Sequence, residues 1–232
     1  EALLENNCAI ITCDSKSMPV GLMLPLYGNT TQNERFRQQL GASLPLMKQL
    51  WQQTIKQKIE NQAAVLKKCA GEEIRCMKAW AADVKSGDSD NLEARAAAYY
   101  WKNLFKIDGF TRDREGIPPN NLLNYGYAIL RAVVARGLGI HHHNRYNAYC
   151  LADDIMEPYR PYVDELVCDI MKKGGDYGML TKELKGQLLT IPSLDVIISG
   201  KRSPLMIAVG QTTASLYKCF NGELRKIAYP EM

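Results

Sequence analysis

The sequence predicts a mainly α-helical protein, in which a large helical domain follows the remnant of a small N-terminal β domain. From Gln32 onward, apolar residues recur at intervals of three or four, which is the period of a helix that buries one face. Before that point, residues 8–13 form a short apolar run with β-branched side chains and are typical of a buried strand. The 232 residues suffice for one large domain or two small ones.

Composition narrows the class of protein. An apolar content of 46% and a charged content of 23% are ordinary for a soluble globular protein, and the net charge of +4 permits nucleic-acid binding without requiring it. The seven cysteines form no Cys-x-x-Cys pair, so reduced thiols in a cytosol are the simplest account. No stretch approaches the ~18 apolar residues of a membrane span, and no secretory signal is visible.

Turn-forming residues divide the chain into three predicted segments. Residues 1–6 are helical in type and precede the predicted strand, after which Pro19, Gly21 and Pro25 interrupt the strand pattern. One helix and one strand cannot bury a core alone, so this part is expected to belong to a larger β domain. The chain looks like a fragment, a cleaved product, or a chain whose earlier part is not represented in this sequence. The predicted segments are a β-domain remnant at 1–27, a linker at 28–33 and a helical domain at 34–232.

Helical periodicity continues through most of the remaining chain. The residues at 89–91 are all suitable caps for a helix that starts at Leu92. Residues 108–116 are polar and basic and are predicted to form a mobile loop. A strand is predicted at 196–198, and the tail at 224–230 alternates weakly and can pair as another. The predicted helices are 33–40, 46–69, 74–85, 92–107, 118–138, 148–172 (interrupted by two prolines), 181–190 and 204–219.

Basic residues are concentrated on the helix at 46–69. It has five lysines against one acid, Glu60. This pattern fits either an ordinary solvated face or a face that binds phosphates. The five lysines are Lys48, Lys56, Lys58, Lys67 and Lys68.

A short segment holds the candidate metal ligands. All three histidines lie at 141–143, and Asp153, Asp154 and Glu157 follow within one predicted helix. Imidazole and carboxylate groups are ligands of divalent metals, and such sites commonly perform hydrolytic or phosphoryl-transfer chemistry. A mixed Glu and His set suits Mg²⁺ or Mn²⁺, whereas structural zinc prefers thiolates.

Backbone geometry limits how these groups can act together. In an extended segment His141 and His143 share one side while His142 faces the other, so at most one or two of them ligate one ion. Pro158 disfavours helical conformation at Glu157, and a kink is therefore expected there.

Each group also has an ordinary structural explanation. The histidines can be a chance cluster, and the acids can form a surface patch neutralised by Arg160 or Arg145. Glu93, in the first turn of the helix at 92–107, can simply stabilise the helix dipole. The residues alone leave these alternatives open.

Several motifs occur together at specific spacings: 92–97, 121–127, 139–142, 154–161 and Lys201-Arg202. Together they resemble the CRISPR adaptation integrase, the first-numbered CRISPR-associated protein, which inserts new spacers into a repeat array. The similarity spans essentially the whole chain. Residues 28–62 are similar to members from type II systems, which use a single RNA-guided effector nuclease.

The resemblance implies a helical catalytic domain with a metal triad of Glu, His, and Glu or Asp. Matched position by position, the triad is Glu93, His142 and Glu157, and it would hold Mg²⁺ or Mn²⁺. His142 is chosen because the family's histidine falls three residues after a glycine, here Gly139. Asp154 matches a further acidic position and is an auxiliary candidate.

The resemblance also implies partners and a reaction. The expected assembly is an asymmetric homodimer joined by the small ferredoxin-like second-numbered subunit. The whole complex is expected to hold a double-stranded DNA protospacer in the bacterial cytoplasm. The type II effector nuclease is a further expected partner. In the expected reaction, a 3′-hydroxyl of the incoming DNA attacks a phosphodiester at the repeat boundary. No Ser/His/Asp or Cys/His arrangement is recognisable, consistent with chemistry that uses no protein nucleophile.

Two alternatives accompany this prediction: a metal-dependent nuclease that acts on branched DNA outside CRISPR, and a non-catalytic helical scaffold whose acids only cap helices.

DNA phosphates are expected to contact basic residues along the helical domain. These are Lys48, Lys56, Lys58, Arg112, Arg114, Lys201 and Arg202.

The chain departs from the family pattern in two places. Most of the β domain that normally helps to form the dimer does not precede Glu1. In addition, the helix ending near Leu138 continues directly into Gly139 where the family usually has a Gly/Leu/Pro loop. If these segments are absent, dimerisation and one wall of the active site are expected to change.

Overall fold

The structure is a computed structural model, and it describes residues 2–6, 8, 10–13, 15, 19–23, 37–138 and 150–232. It divides into two compact units, Glu1–Gly41 and Ala42–Met232. The prediction of a mainly helical fold with small sheets is confirmed. The predicted linker at 28–33 lies outside the described residues, and the predicted domain boundaries stay predictions.

The first unit contains helix α1 (Ala2–Glu5) and an antiparallel pair of strands, β1 (Ile10–Cys13) and β2 (Pro19–Met23). The prediction that Pro19 and Gly21 interrupt the strand pattern is wrong. Pro19 is the first residue of β2, a position where a missing backbone donor is tolerated. Gly21 pairs with Thr12, and a Cβ on Gly21 would lie 2.4 Å from the Thr12 hydroxyl oxygen. The missing side chain therefore lets the two strands pair.

One long helix, α2 (Leu44–Ala70), organises the second unit. The Ser43 hydroxyl caps its first turn, and the helix ends at Gly71, whose φ of 70° is easily adopted by glycine. Helices α3 (Arg75–Asp83) and α4 (Leu92–Leu104) pack against it. Together they bury one apolar cluster, which includes Ile55, Ile59, Leu66, Met77 and Tyr100.

The chain then forms α5 (Asn120–Leu138), α6 (Cys150–Ile155) and α7 (Arg160–Lys172). The expected kink is confirmed, because a 3-10 turn at Glu157–Tyr159 separates α6 from α7. These helices bury a second cluster that includes Leu123, Leu130, Met156, Tyr159 and Val163. In the described part of the chain, no helix is both long and apolar enough to cross a membrane.

The last elements are α8 (Lys182–Leu188), β3 (Asp195–Ile198), β4 (Lys201–Pro204), α9 (Leu205–Phe220) and β5 (Pro230–Glu231). The three strands form an antiparallel sheet in the order β4-β3-β5.

The tail before β5 is held by side chains of α2. The predicted strand at 224–230 is mostly wrong, because only Pro230 and Glu231 enter the sheet. Instead, the Gln53 amide donates to the Arg225 carbonyl at 3.0 Å and accepts from the Ile227 N–H at 2.9 Å. These contacts satisfy backbone groups that a strand would otherwise pair.

Hydrogen bonds also tie the segment at 108–116 to α5, contrary to the prediction of a mobile loop. The Arg112 guanidinium donates to the side-chain oxygens of Asn120 at 2.9 Å and Asn124 at 2.8 Å. The Asn120 amide in turn donates to the Thr111 carbonyl at 2.9 Å. The amide side chains of α5 therefore fix this basic segment.

Candidate metal centre

Glu93 lies in the first turn of α4, and the start of that helix is fixed by Asp88. The Asp88 carboxylate accepts the backbone N–H groups of Leu92 at 2.9 Å and Glu93 at 3.0 Å. The prediction of a cap among residues 89–91 is wrong, because Asn91 has a left-handed φ of 52° and makes no side-chain capping bond. The side chain that caps the helix is instead that of Asp88, just before this range, and it holds the backbone of Glu93 in place.

Glu157 lies in the 3-10 turn and is buried. The turn is anchored to α2, because the Asn61 side-chain amide donates to the Pro158 carbonyl at 2.8 Å. Arg160, at the start of α7, places Nη2 2.8 Å from Glu157 Oε1. The alternative in which Arg160 neutralises the acids is therefore realised for this glutamate.

Lys58 of α2 joins the two glutamates. Its Nζ lies 2.6 Å from Glu93 Oε1 and 2.6 Å from Glu157 Oε2. The Lys58 side chain is only 10% exposed, so its charge is directed inward. We call Lys58, Glu93 and Glu157 the carboxylate–lysine cluster.

The charge of Lys58 is stabilised by its two partners. Burial alone would lower the pKa of this ammonium group, but the adjacent carboxylates of Glu157 and Glu93 outweigh burial and raise the pKa above its usual value. The lysine is therefore cationic at neutral pH and offsets part of the negative charge of the cluster.

Asp153 and Asp154 of α6 complete the acidic surroundings. Asp153 pairs with Arg131 of α5 at 2.5 Å. Asp154 is partly accessible to solvent, but the surrounding protein removes much of the hydration of its carboxylate. This loss of hydration, followed by the charges of Glu157, Asp153 and Glu93, raises the pKa of Asp154 to about 7. A proton or a metal cation near Asp154 would relieve this repulsion.

The donor set fits a divalent cation. Two carboxylates from separate helical segments converge on one positively charged atom, and Glu157 Oε2 is buried with the Lys58 ammonium group 2.6 Å away. Hard oxygen donors of this kind suit Mg²⁺ or Mn²⁺. His142 lies outside the described residues, as do His141 and His143. Within the described ranges, no three Asp, Glu, His or Cys side chains form a group that could hold a metal ion. A metal ion at this point would need a third ligand from outside these ranges.

A second buried cluster, not anticipated from the sequence, lies near the first. Asp164 of α7 is fully buried and accepts hydrogen bonds from the Tyr100 hydroxyl at 2.8 Å and the Tyr127 hydroxyl at 2.5 Å. The guanidinium groups of Arg160 and Arg112 lie 4.8 Å and 5.2 Å from the Tyr127 ring centre. We call Asp164, Tyr100 and Tyr127 the aspartate–tyrosine cluster. It joins α4, α5 and α7.

The predicted phosphate contacts differ in exposure. Lys58 is buried in the carboxylate–lysine cluster. It therefore belongs neither to a solvated lysine face nor to an exposed face that binds phosphates. Arg112 is half-buried and bonded to α5, and Arg202 is exposed but paired with Asp195. The other predicted contacts are exposed: Lys48, Lys56, Arg114 and Lys201.

The sequence holds a signal for the role of Lys58. It lies three residues after Ile55 and four before Gln62, and both of these are buried. A lysine at helical spacing within a buried stripe must find an opposite charge in the core. The sequence does not identify that partner, because Glu93 and Glu157 come from distant segments.

Comparison with known proteins identifies the family. The family described as "CRISPR associated protein Cas1" matches residues 1–191. The "CRISPR-associated endonuclease Cas1" of Neisseria meningitidis serogroup C (strain 8013) is 35% identical over 224 residues, which cover 92% of this chain and 73% of that protein. The "CRISPR-associated endonuclease Cas1 2" of Pyrobaculum aerophilum is 27% identical and covers 94% of this chain and 80% of its own length.

Solved structures show the same fold. A "Casposase bound to integration product" superposes with a TM-score of 0.67 at 19% identity, over 97% of this chain and 79% of that one. A chain of a "Cas6-RT-Cas1--Cas2 complex" gives a TM-score of 0.70 at 22% identity, over 97% of this chain and 29% of the other. The family resemblance predicted from the motifs is thereby confirmed: the chain belongs to the Cas1 family of CRISPR-associated proteins.

Proposed function

We propose that this protein is a metal-dependent DNA endonuclease and integrase that inserts protospacer DNA into a CRISPR repeat array. The convergence of Glu93 and Glu157 on one cation-binding point is the observation that carries the proposal. Two similar proteins support nuclease and DNA-integration chemistry: the Neisseria relative is an endonuclease, and the casposase was solved bound to an integration product.

The proposed ligands of Mg²⁺ or Mn²⁺ are Glu93, His142 and Glu157. When bound, the metal would supply Lewis acidity toward a phosphodiester and its leaving oxygen. The chain's own residues hold the donors in place, through the Asp88 cap on one glutamate and Arg160 on the other. Burial of Glu157 limits its hydration, so its charge acts on a nearby cation more strongly than it would in water.

The proposed reaction is attack of a protospacer 3′-hydroxyl on a phosphodiester at the repeat boundary. Asp154, which lies near the charges of Glu157, Asp153 and Glu93, is the proposed auxiliary acid of the site. Exposed basic groups would bind the DNA backbone, and such binding weakens steeply with salt. The proposed backbone contacts are Lys48, Lys56, Arg114, Lys201 and Arg202.

We further propose the assembly expected for such an integrase. It consists of a homodimer, a small ferredoxin-like Cas2-type subunit and double-stranded DNA, and it works in the bacterial cytoplasm. The solved Cas1–Cas2 complexes that share this fold support the second subunit. Type II membership and contact with the effector nuclease are further parts of the proposal, and they rest on the resemblance of residues 28–62 to type II members. The helical domain at 34–232 would be catalytic, preceded by the β-domain remnant at 1–27 and the linker at 28–33.

An integration assay tests this proposal. A labelled protospacer, the small subunit, Mn²⁺ and a plasmid bearing a repeat array are mixed with the protein, and strand transfer is measured. Glu157→Gln and Glu93→Gln are expected to reduce transfer about 100-fold or more, since each removes a charged ligand. Glu183→Gln, an exposed acid on α8, is the matched control and should retain transfer. Alanine substitutions of His141, His142 and His143 identify the ligating histidine.

Three outcomes would contradict the proposal. Wild-type rates in Glu157→Gln and Glu93→Gln would overturn the ligand assignment. Cutting without joining would indicate a plain nuclease. DNA binding without any metal-dependent strand transfer would indicate a scaffold.

A further inference from the structure

Lys58 occupies the point at which the two proposed glutamate ligands converge. Its Nζ lies 2.6 Å from an oxygen of each carboxylate, and its side chain is 10% exposed. The two carboxylates come from different helical segments and would repel one another without a cation between them. A positively charged side chain at this position has the same neighbours that a metal ion would have.

We propose that Lys58 is a positioning residue: its ammonium group holds Glu93 and Glu157 together until a divalent cation binds and displaces it. The inference rests on the proposed function, because it takes these two glutamates as metal ligands. It adds that the site contains its own exchangeable cation.

The side-chain chemistry of lysine suits this exchange. Lysine places a compact charge on a flexible four-carbon stem and can withdraw by changing rotamers, whereas the planar fork of arginine is held by its geometry. Mg²⁺ and Mn²⁺ carry twice the charge and bind oxygen donors at shorter distances, about 2.1 Å for Mg²⁺. A divalent cation therefore competes well for the same carboxylates.

The glutamates have other anchors that would persist after the exchange. Glu157 Oε1 keeps its contact with Arg160 at 2.8 Å, and the backbone of Glu93 keeps its bond to Asp88 at 3.0 Å. Lys58 can therefore leave without releasing either glutamate from its segment.

The structure argues against Lys58 as a direct phosphate contact in this state. Its charge is already used by two carboxylates, and a phosphate approaching the same point would meet both of them. Exposed lysines on the same helix, such as Lys48 and Lys56, are better placed to meet DNA.

The central experiment measures Mn²⁺ affinity by electron paramagnetic resonance of the free ion. Lys58→Met keeps an unbranched side chain of nearly the same length and removes its charge, and Lys67→Met is the matched control on the exposed part of α2. Removing the competing cation is expected to tighten Mn²⁺ binding about tenfold or more, because charge interactions across a few ångströms in a buried site are strong. Unchanged or weaker binding by Lys58→Met would overturn the inference.

Thermal unfolding gives a second readout. In chelator, Lys58→Met should melt at a lower temperature than wild type, because its glutamates repel. Saturating Mn²⁺ should raise its melting temperature by more than it raises that of wild type. Equal metal-induced shifts in both proteins would overturn the inference.

An experiment on wild-type protein covers the case in which Lys58→Met fails to fold. Lysines are labelled with an amine-reactive ester and quantified by mass spectrometry, in chelator and in Mn²⁺. Displacement should increase the labelling of Lys58 several-fold while that of Lys67 stays constant. Constant labelling of Lys58 under conditions where Mn²⁺ is bound would contradict displacement.

The same measurements separate this inference from the proposed function. If wild type binds Mn²⁺ no more tightly than Glu157→Gln, the proposed metal site fails and the inference fails with it. If wild type binds Mn²⁺ through Glu157 but Lys58→Met does not differ from it, only the inference fails.

Discussion

The two buried polar clusters have side chains of opposite type at their centres, a lysine in one and an aspartate in the other. In the carboxylate–lysine cluster, a cation lies between two acids at 2.6 Å from each. In the aspartate–tyrosine cluster, an acid lies between two hydroxyl groups at 2.8 Å and 2.5 Å. Both clusters use residues of the stretch from Glu157 to Asp164, so they share one segment of backbone.

This difference indicates which cluster can change its composition. A cation between two carboxylates can be replaced by another cation, since only charge and size are required. The donors around Asp164 belong to α4 and α5, and no solute can replace them without separating those helices. We therefore interpret the carboxylate–lysine cluster as the reactive site and the aspartate–tyrosine cluster as its fixed support.

The largest effect on stability is expected from removing the fixed centre. Asp164→Ala leaves two buried hydroxyl groups unpaired and opens a small cavity, and should lower the free energy of unfolding by about 3 kcal/mol. Urea denaturation at pH 5.5 measures this. Asp169→Ala, an exposed acid on the same helix, should have little effect. A small loss in Asp164→Ala would contradict a supporting role for this cluster.

The next effect is a dependence on pH. Burial raises the pKa of Asp164 to about 7. Hydrogen bonds from the tyrosines and the charges of Arg160 and Arg112 oppose this rise. Between pH 4 and 7, the folded chain thus keeps a proton that the unfolded chain has lost, so the free energy of unfolding falls as pH rises.

Asp164→Asn isolates that contribution. As pH rises from 4 to 7, wild type should lose up to about 3 kcal/mol relative to Asp164→Asn, at about 1.4 kcal/mol for each unit of pKa difference. Denaturation curves of both proteins at half-unit intervals of pH provide the test. Parallel stability profiles would show that this carboxyl titrates normally.

A double-mutant cycle tests the exchangeable centre. Lys58→Met and Glu157→Gln each remove one charge of a buried pair and leave the other charge with one opposite-charge contact fewer, whereas the double variant removes both charges. In chelator the double variant should therefore be more stable than the sum of the single losses predicts, by about 2 kcal/mol. Additive losses would indicate that the 2.6 Å contact contributes nothing to stability.

The smallest predicted effect concerns the Asp88 cap, which supports Glu93 of the exchangeable cluster. Asp88→Ala removes the acceptor for two backbone N–H groups and should cost about 1 kcal/mol. Mn²⁺ affinity should fall slightly because the first turn of α4 loosens. Asp90→Ala, which leaves both of those bonds intact, is the control. An equal loss in both variants would argue against the cap.

Local sequence patterns predict most of the fold. The apolar stripe of α2, the break at Pro158 and the ends of the later helices depend on neighbouring residues, and the sequence locates them well. The failures involve pairing over distance. Gly21 and Pro19 are compatible with a strand only because of how β2 pairs with β1, which no local pattern reveals.

The candidate site shows the same limit. Family motifs indicate Glu93 and Glu157, and the structure brings both to one nitrogen atom. Lys58 resembles the exposed lysines of its helix because its sequence neighbourhood is basic. Its actual partners are 35 and 99 residues further along the chain, so their meeting depends on how α2 packs against α4 and the 3-10 turn.

The Asn61 side chain has a wider consequence. Its amide group donates to the Pro158 carbonyl at 2.8 Å and to the Pro230 carbonyl at 3.0 Å. A single side chain thus links the turn that carries Glu157 with the strand β5. A substitution or fused segment that pulls the tail away from α2 would loosen this link. Tagging or remodelling the tail is therefore predicted to change the Mn²⁺ affinity of the proposed site without altering a proposed ligand.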